Sequence, residues 1–122
     1  MPDQALVVTP EVLQHLAALR SEPKFHQQNL YPGAPTEEIR CKAEQAVNTM
    51  LDRLLVGLGK SPRKAYVLSE FLEMLKNFQS EDTEEREQAC AYCERVMDFL
   101  HIESSGGLLN NWLYGFDPEQ RP

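Results

Sequence analysis

"TEEIRCKAEQAVNTMLDRLLVGLG", Thr36 to Gly59, decides the fold. Its apolar residues Ile39, Ala43, Ala46, Val47, Met50, Leu51, Leu54, Leu55 and Leu58 recur at three- and four-residue steps. That is the period of an amphipathic helix, sustained for about five turns. Thr36 stands where an N-cap hydroxyl is wanted, and Glu37 and Glu38 place negative charge in the first turn, where the helix dipole favours it. Gly59 is the stop signal. A stripe this long needs neighbours on a broad face, and the rest of the chain must supply them.

Downstream, Ser61-Pro62 offers a cap followed by a proline at the first helical position. It opens a third helix whose apolar face is Ala65, Leu68, Leu72, Leu75 and Phe78, widened by Val67 and Phe71. The short Gly59–Ser61 turn makes the second and third helices antiparallel neighbours. Asp82 with Glu85 suits a capping box, and the fourth helix buries Ala89, Cys93, Val96, Met97 and Leu100, flanked by Tyr92 and Phe99. "SSGG" (104–107) ends that segment. Leu108, Leu109, Trp112 and Leu113 then sit at helical spacing before Gly115, so a short fifth helix is expected, docked on the bundle.

Upstream, Thr9-Pro10 repeats the cap-and-proline device ahead of Val12, Leu13, Leu16 and Ala17, giving a first helix to about Arg20. "SEPKFHQQNLYPGAP" (21–35) has three prolines and no period. It reads as an extended connector with Phe25, Leu30 and Tyr31 against the core. No two-residue alternation or internal repeat is present. The expectation is one all-α domain over residues 1–122, a compact bundle of four main helices plus a short C-terminal fifth.

Composition narrows the function. The chain has 122 residues and a net charge of −7, ordinary for one globular domain and unfavourable for nucleic acid or an anionic membrane. Charge is uneven: residues 1–68 carry a net +1 and residues 69–122 a net −8. The opening "MPDQALVVTPEVL" has Asp3, no basic residue and only a short apolar run, so it does not read as a secretory signal. No stretch approaches the roughly 20 apolar residues of a membrane span. Three cysteines are too few for a disulfide framework, and the cytoplasm is the expected location.

Catalytic and metal chemistry find little support. Cys90-Ala-Tyr-Cys93 is the only close cysteine pair, but it falls mid-helix, far from a helix N-terminus that would stabilise thiolate. Cys41, His15, His26 and His101 are scattered and form no second ligand pair. Gly106-Gly107 lacks the residues that make a phosphate loop and reads as a tight turn. No cofactor is expected.

"SEDTEEREQ" (80–88) gathers Glu81, Asp82, Glu84, Glu85 and Glu87 without the ligand pattern of a calcium loop. It is either a solvated helix start or a docking patch for a basic protein. Tyr114 and Phe116, at the edge of the closing segment, are expected to stay partly available to a partner, and Tyr and Trp are typical interface anchors.

The last third, "EEREQACAYCERVMDFLHIESSGGLLNNWLYGFDP" (84–118), resembles a family of small bacterial proteins catalogued only as a domain of unknown function. The resemblance implies a helical bacterial protein and transfers no catalytic residue. Two functions are therefore carried forward. One is a non-catalytic protein-interaction module whose acidic fourth-helix surface binds a basic partner, with a toxin-neutralising immunity protein as one concrete form. The other is a small-ligand binder or enzyme with a pocket between the connector and the bundle, lined by His26, Tyr31 and Tyr66.

Overall fold

Helix α2, Glu37–Gly57, forms as its pattern requires and runs through the middle of a bundle. The computed structural model describes residues 3–114. Thr36 caps α2 by accepting from the Ile39 N–H at 3.1 Å, and Ala43, Val47, Met50, Leu51 and Leu54 are buried along one face. Around it pack α1 (Pro10–Ser21), α3 (Lys64–Leu75, extended by a 3-10 turn over Lys76–Phe78) and α4 (Thr83–Phe99), with the short α5 (Leu108–Leu113) against α4. The fold is all-α, and no strand occurs among the described residues. No described helix is long and apolar enough to cross a membrane.

Several boundaries move for tertiary reasons. Helix α2 ends at Gly57 with Leu58 as its C-cap, just before the expected stop at Gly59, and Gly57 matters because of a close approach. A Cβ there would overlap the Tyr66 hydroxyl, which donates to the Arg53 carbonyl at 3.0 Å; at Gly59 a Cβ would meet open space.

Helix α3 starts at Lys64, two residues after Pro62, and its N-cap Arg63 makes no side-chain cap. The N-terminal segment supplies the missing partners. Lys64 N–H donates to the Gln4 carbonyl at 2.9 Å, Leu6 N–H to the Pro62 carbonyl at 2.8 Å, and Ala65 N–H to Asp3 Oδ1 at 2.9 Å. The orphan donors of a helix start are thus satisfied from far away in sequence. The buried face of α3 is also rotated from the expected one. Val67, Glu70, Phe71, Met74 and Leu75 are inside, while Ala65 and Leu72 are exposed.

At the other end of α4, the chain turns before "SSGG". His101 adopts φ +57°, its N–H donates to the Asp98 carbonyl at 3.3 Å, and Ile102 N–H donates to the Met97 carbonyl at 2.9 Å. This is a Schellman turn closed by the buried Ile102, with histidine where glycine is usual. Gly106 and Gly107, at φ +69° and +87°, then lead directly into α5.

The connector is bound to the bundle, though not as expected throughout. Phe25 and Tyr31 are buried, but Leu30 is fully exposed at the tip of a tight turn in which Gln28 and Tyr31 exchange backbone hydrogen bonds. Lys24 is the residue that sequence reading missed. Its ammonium is buried and donates to the carbonyls of Leu19, Arg20 and Glu22, so all three donors are used and the end of α1 is capped by a cation. Its backbone is held by α2, with N–H donating to Glu44 Oε2 at 2.9 Å and C=O accepting from Arg40 at 3.3 Å. Burial pushes the Lys24 ammonium below its usual pKa, against the pull of Glu44 and Glu22.

The closing helix docks, as expected. Leu109 is buried, while Leu108, Trp112 and Leu113 pack half-buried against the core. Arg86 of α4 holds it, its guanidinium 4.9 Å from the Trp112 ring centre and donating to the carbonyls of Trp112 and Leu113 at 3.1 and 2.9 Å. Because Trp112 is only half-buried, Trp112→Ala is expected to cost about 1–3 kcal/mol, below the roughly 3–5 kcal/mol of a core aromatic truncation. Urea titration checks this, and a wild-type midpoint in the variant would show that α5 contributes nothing to the fold.

Candidate functional site

Helix α4 has two faces of opposite character. Inward lie Glu85, Ala89, Cys90, Tyr92, Cys93, Val96 and Met97. Outward, Glu84, Glu87, Ala91, Glu94 and Asp98 are all exposed. Steps of three and four residues line these five up along one solvent face. Glu81 and Asp82 precede them at the head of the helix. The stripe is carboxylate at every position but one.

Sequence reading named the head of this stripe and missed its continuation through Glu94 and Asp98. The signal is in the spacing, since positions 94 and 98 continue the three- and four-residue steps of 84, 87 and 91. Glu85 does not belong to the exposed set. It is 1% exposed, on the core face, where Oε2 accepts from the Tyr31 hydroxyl at 2.7 Å. The expected capping box is therefore not formed, and Asp82 makes no side-chain cap either. Burial and the Glu85 carboxylate together push the Tyr31 phenol above its usual pKa. Tyr114 is exposed just after α5, while Phe116 lies outside the described residues.

Ion pairing divides the molecule. The seven ion pairs among the described residues use Glu22, Glu37, Glu38, Glu44, Asp52, Glu70 and Glu73. Carboxylates from Glu81 to Glu103 enter none of these pairs. The bidentate Arg95–Glu22 pair, at 2.7 and 2.9 Å, even takes an α4 arginine away from the stripe to the connector.

The residues set aside for other chemistry are dispersed. Cys90 and Cys93 are buried on the core face, and burial raises both thiols, Cys90 to about 11. His15 stacks on Phe99 at 5.1 Å, and His26 and His101 are exposed. Among the described residues no three His, Cys, Asp or Glu side chains gather as a metal site. The pocket expected from His26, Tyr31 and Tyr66 is not assembled. Tyr31 is engaged with Glu85, whereas Tyr66 reaches Arg53, more than two turns along α2 from the Arg40 and Glu44 that hold the connector.

A concave feature does exist elsewhere. A groove of ≈ 500 Å³ lies between α2 and α3. Ile39, Ala46 and Met50 line it from α2, and Met74 and Phe78 from the α3 side. Glu70, Glu73 and Glu81 stand along its α3 wall, Lys42 and Arg53 along the other. Arg53 Nε donates to Glu70 Oε1 at 2.8 Å across one end.

A family model described as "Domain of unknown function (DUF4844)" matches residues 7–117. Among solved structures, the chain is similar to a DUF3571 family protein from Acinetobacter baumannii AYE, at 28% identity and a TM-score of 0.77. That likeness covers 86% of this chain and 89% of the other. No curated protein matches it.

Proposed function

The chain belongs to the DUF4844 family, a domain of unknown function, and we propose that it is a non-catalytic interaction module that binds a basic protein through α4. The carrying observation is the outward stripe Glu84, Glu87, Glu94 and Asp98, headed by Glu81 and Asp82 and left without cationic partners among the described residues. Like charges at helical neighbour spacing repel by a few tenths of a kcal/mol per pair. A cationic surface laid along α4 relieves that repulsion, speeds encounter and excludes acidic competitors. A bacterial cytoplasmic setting, with a toxin-neutralising immunity protein as one form, fits such a module. Nothing in the arrangement of histidines, thiols and buried carboxylates favours a catalytic centre over it.

The test is affinity capture from a bacterial lysate, with wild type beside the double variant Glu87→Lys, Glu94→Lys. Both positions are exposed, so the variant is expected to fold normally. Wild type is expected to retain a basic protein that salt releases, and the variant to associate about ten- to a thousandfold more slowly. Retention of the same protein by both, at low and high salt, would sink the proposal.

A further inference from the structure

We propose that the α2–α3 groove receives an amphipathic helix of the basic partner, with its apolar side chains on the floor and its lysines or arginines along the α3 wall. The inference rests on the basic-partner reading above and names the structural element that is recognised.

Shape, floor and charge select this occupant. Groove residues recur along α2 from Ile39 to Arg53, a run of about 20 Å at the helical rise. That length matches about four turns of a bound helix better than a compact small molecule. Two of the floor residues are methionines, Met50 and Met74, whose unbranched side chains adapt to an incoming apolar face.

The α3 wall is anionic. Glu70, Glu73 and Glu81, with Asn77 between the last two, step along one side of the groove. The cations nearby are already engaged in open pairs. Arg53 is on Glu70, Lys76 on Glu73 at 2.9 Å and Lys42 on Glu38 at 3.3 Å. The last two pairs are exposed on both sides, and such pairs are weak and exchange readily. Glu70 differs from its neighbours because its side chain is only 7% exposed while its partner Arg53 is 62% exposed. A carboxylate has about four acceptor sites, so Glu70 can take a cationic donor from a ligand while keeping or releasing Arg53.

Titrating the ¹⁵N-labelled full chain with a helical peptide of Lys and Leu, and with its Glu and Leu counterpart, reads the site directly. The expected result is amide shifts centred on Ala43, Ala46, Thr49, Glu73 and Asn77 with the cationic peptide, and none with the anionic one. Ala46→Trp, whose indole fills the groove, is expected to lower affinity about tenfold or more. Thr49→Trp, on the exposed rim, is expected to do the same and serves if Ala46→Trp fails to fold. Shifts confined to α4, with affinity lost on Glu87→Lys with Glu94→Lys but unchanged by the Trp variants, would overturn the groove and leave the basic-partner reading standing. Equal, salt-insensitive binding of both peptides would overturn both.

Discussion

Phe25→Ala is expected to destabilise the protein by about 3–5 kcal/mol, whereas Leu30→Ala, in the same connector, is expected to change stability by less than about 0.5 kcal/mol. The two positions look equivalent in sequence and are opposite in the structure. Phe25 is 1% exposed, its ring stacked at 5.7 Å on Phe78 and tilted at 5.4 Å against Tyr92. Removing the ring forfeits its transfer energy and both aromatic contacts, and leaves a cavity bounded by α4 and the turn after α3. Leu30 projects from the turn with its whole side chain in water, so nothing is lost with it. Equilibrium urea unfolding of the two variants checks the pair. Similar midpoints would mean that the connector does not pack as described.

Raising the pH from about 8 to about 11 is expected to remove about 3 kcal/mol or more of stability. Burial lifts the Cys90 thiol from 9.0 to about 11, lifts Cys93 well above its usual value, and raises the Tyr31 and Tyr92 phenols. Each group then keeps its proton longer in the folded chain than in the unfolded one. Their stabilising share is complete below the unfolded pKa and is lost as pH climbs towards the folded one. For Cys90 the window opens near 9 and spans about two pH units, or about 3 kcal/mol on its own. Urea midpoints across this range measure the slope, and Cys90→Ala should flatten its lower part. A stability that stays level to about pH 11 would show that these thiols are not buried.

Much of the bundle is legible in the residues because its signals are local. The Thr9 and Thr36 caps form with the spacing expected of them, at 3.2 and 3.1 Å, since an N-cap needs only its own first turn. The long stripe of α2 specifies a helix and its buried face without help from other segments. On α4, Ala89, Cys93, Val96 and Met97 were likewise readable as core. So was half of the outward stripe, because Glu84 and Glu87 fall on the solvent side of the same helix, with Asp82 exposed at its N-cap.

What only the tertiary structure decided are the choices between locally equal options. Helix α3 carries apolar residues nearly all round, so its face was set by where α2 and α4 pack. That packing buried Val67, Phe71 and Met74 and left Leu72 outside. Glu85 had a local use in a capping box and a distant one with Tyr31, and the distant hydroxyl prevailed because position 85 faces the core. Lys24 looks like any surface lysine until the end of α1 presents three carbonyls to it. The groove, too, belongs to no single segment, since its walls are residues that helix pairing brings side by side. Caps and periods act within a turn or two, and the chain states them outright. The partners of a buried charge, or the second wall of a groove, lie tens of residues away, and only packing chooses among them.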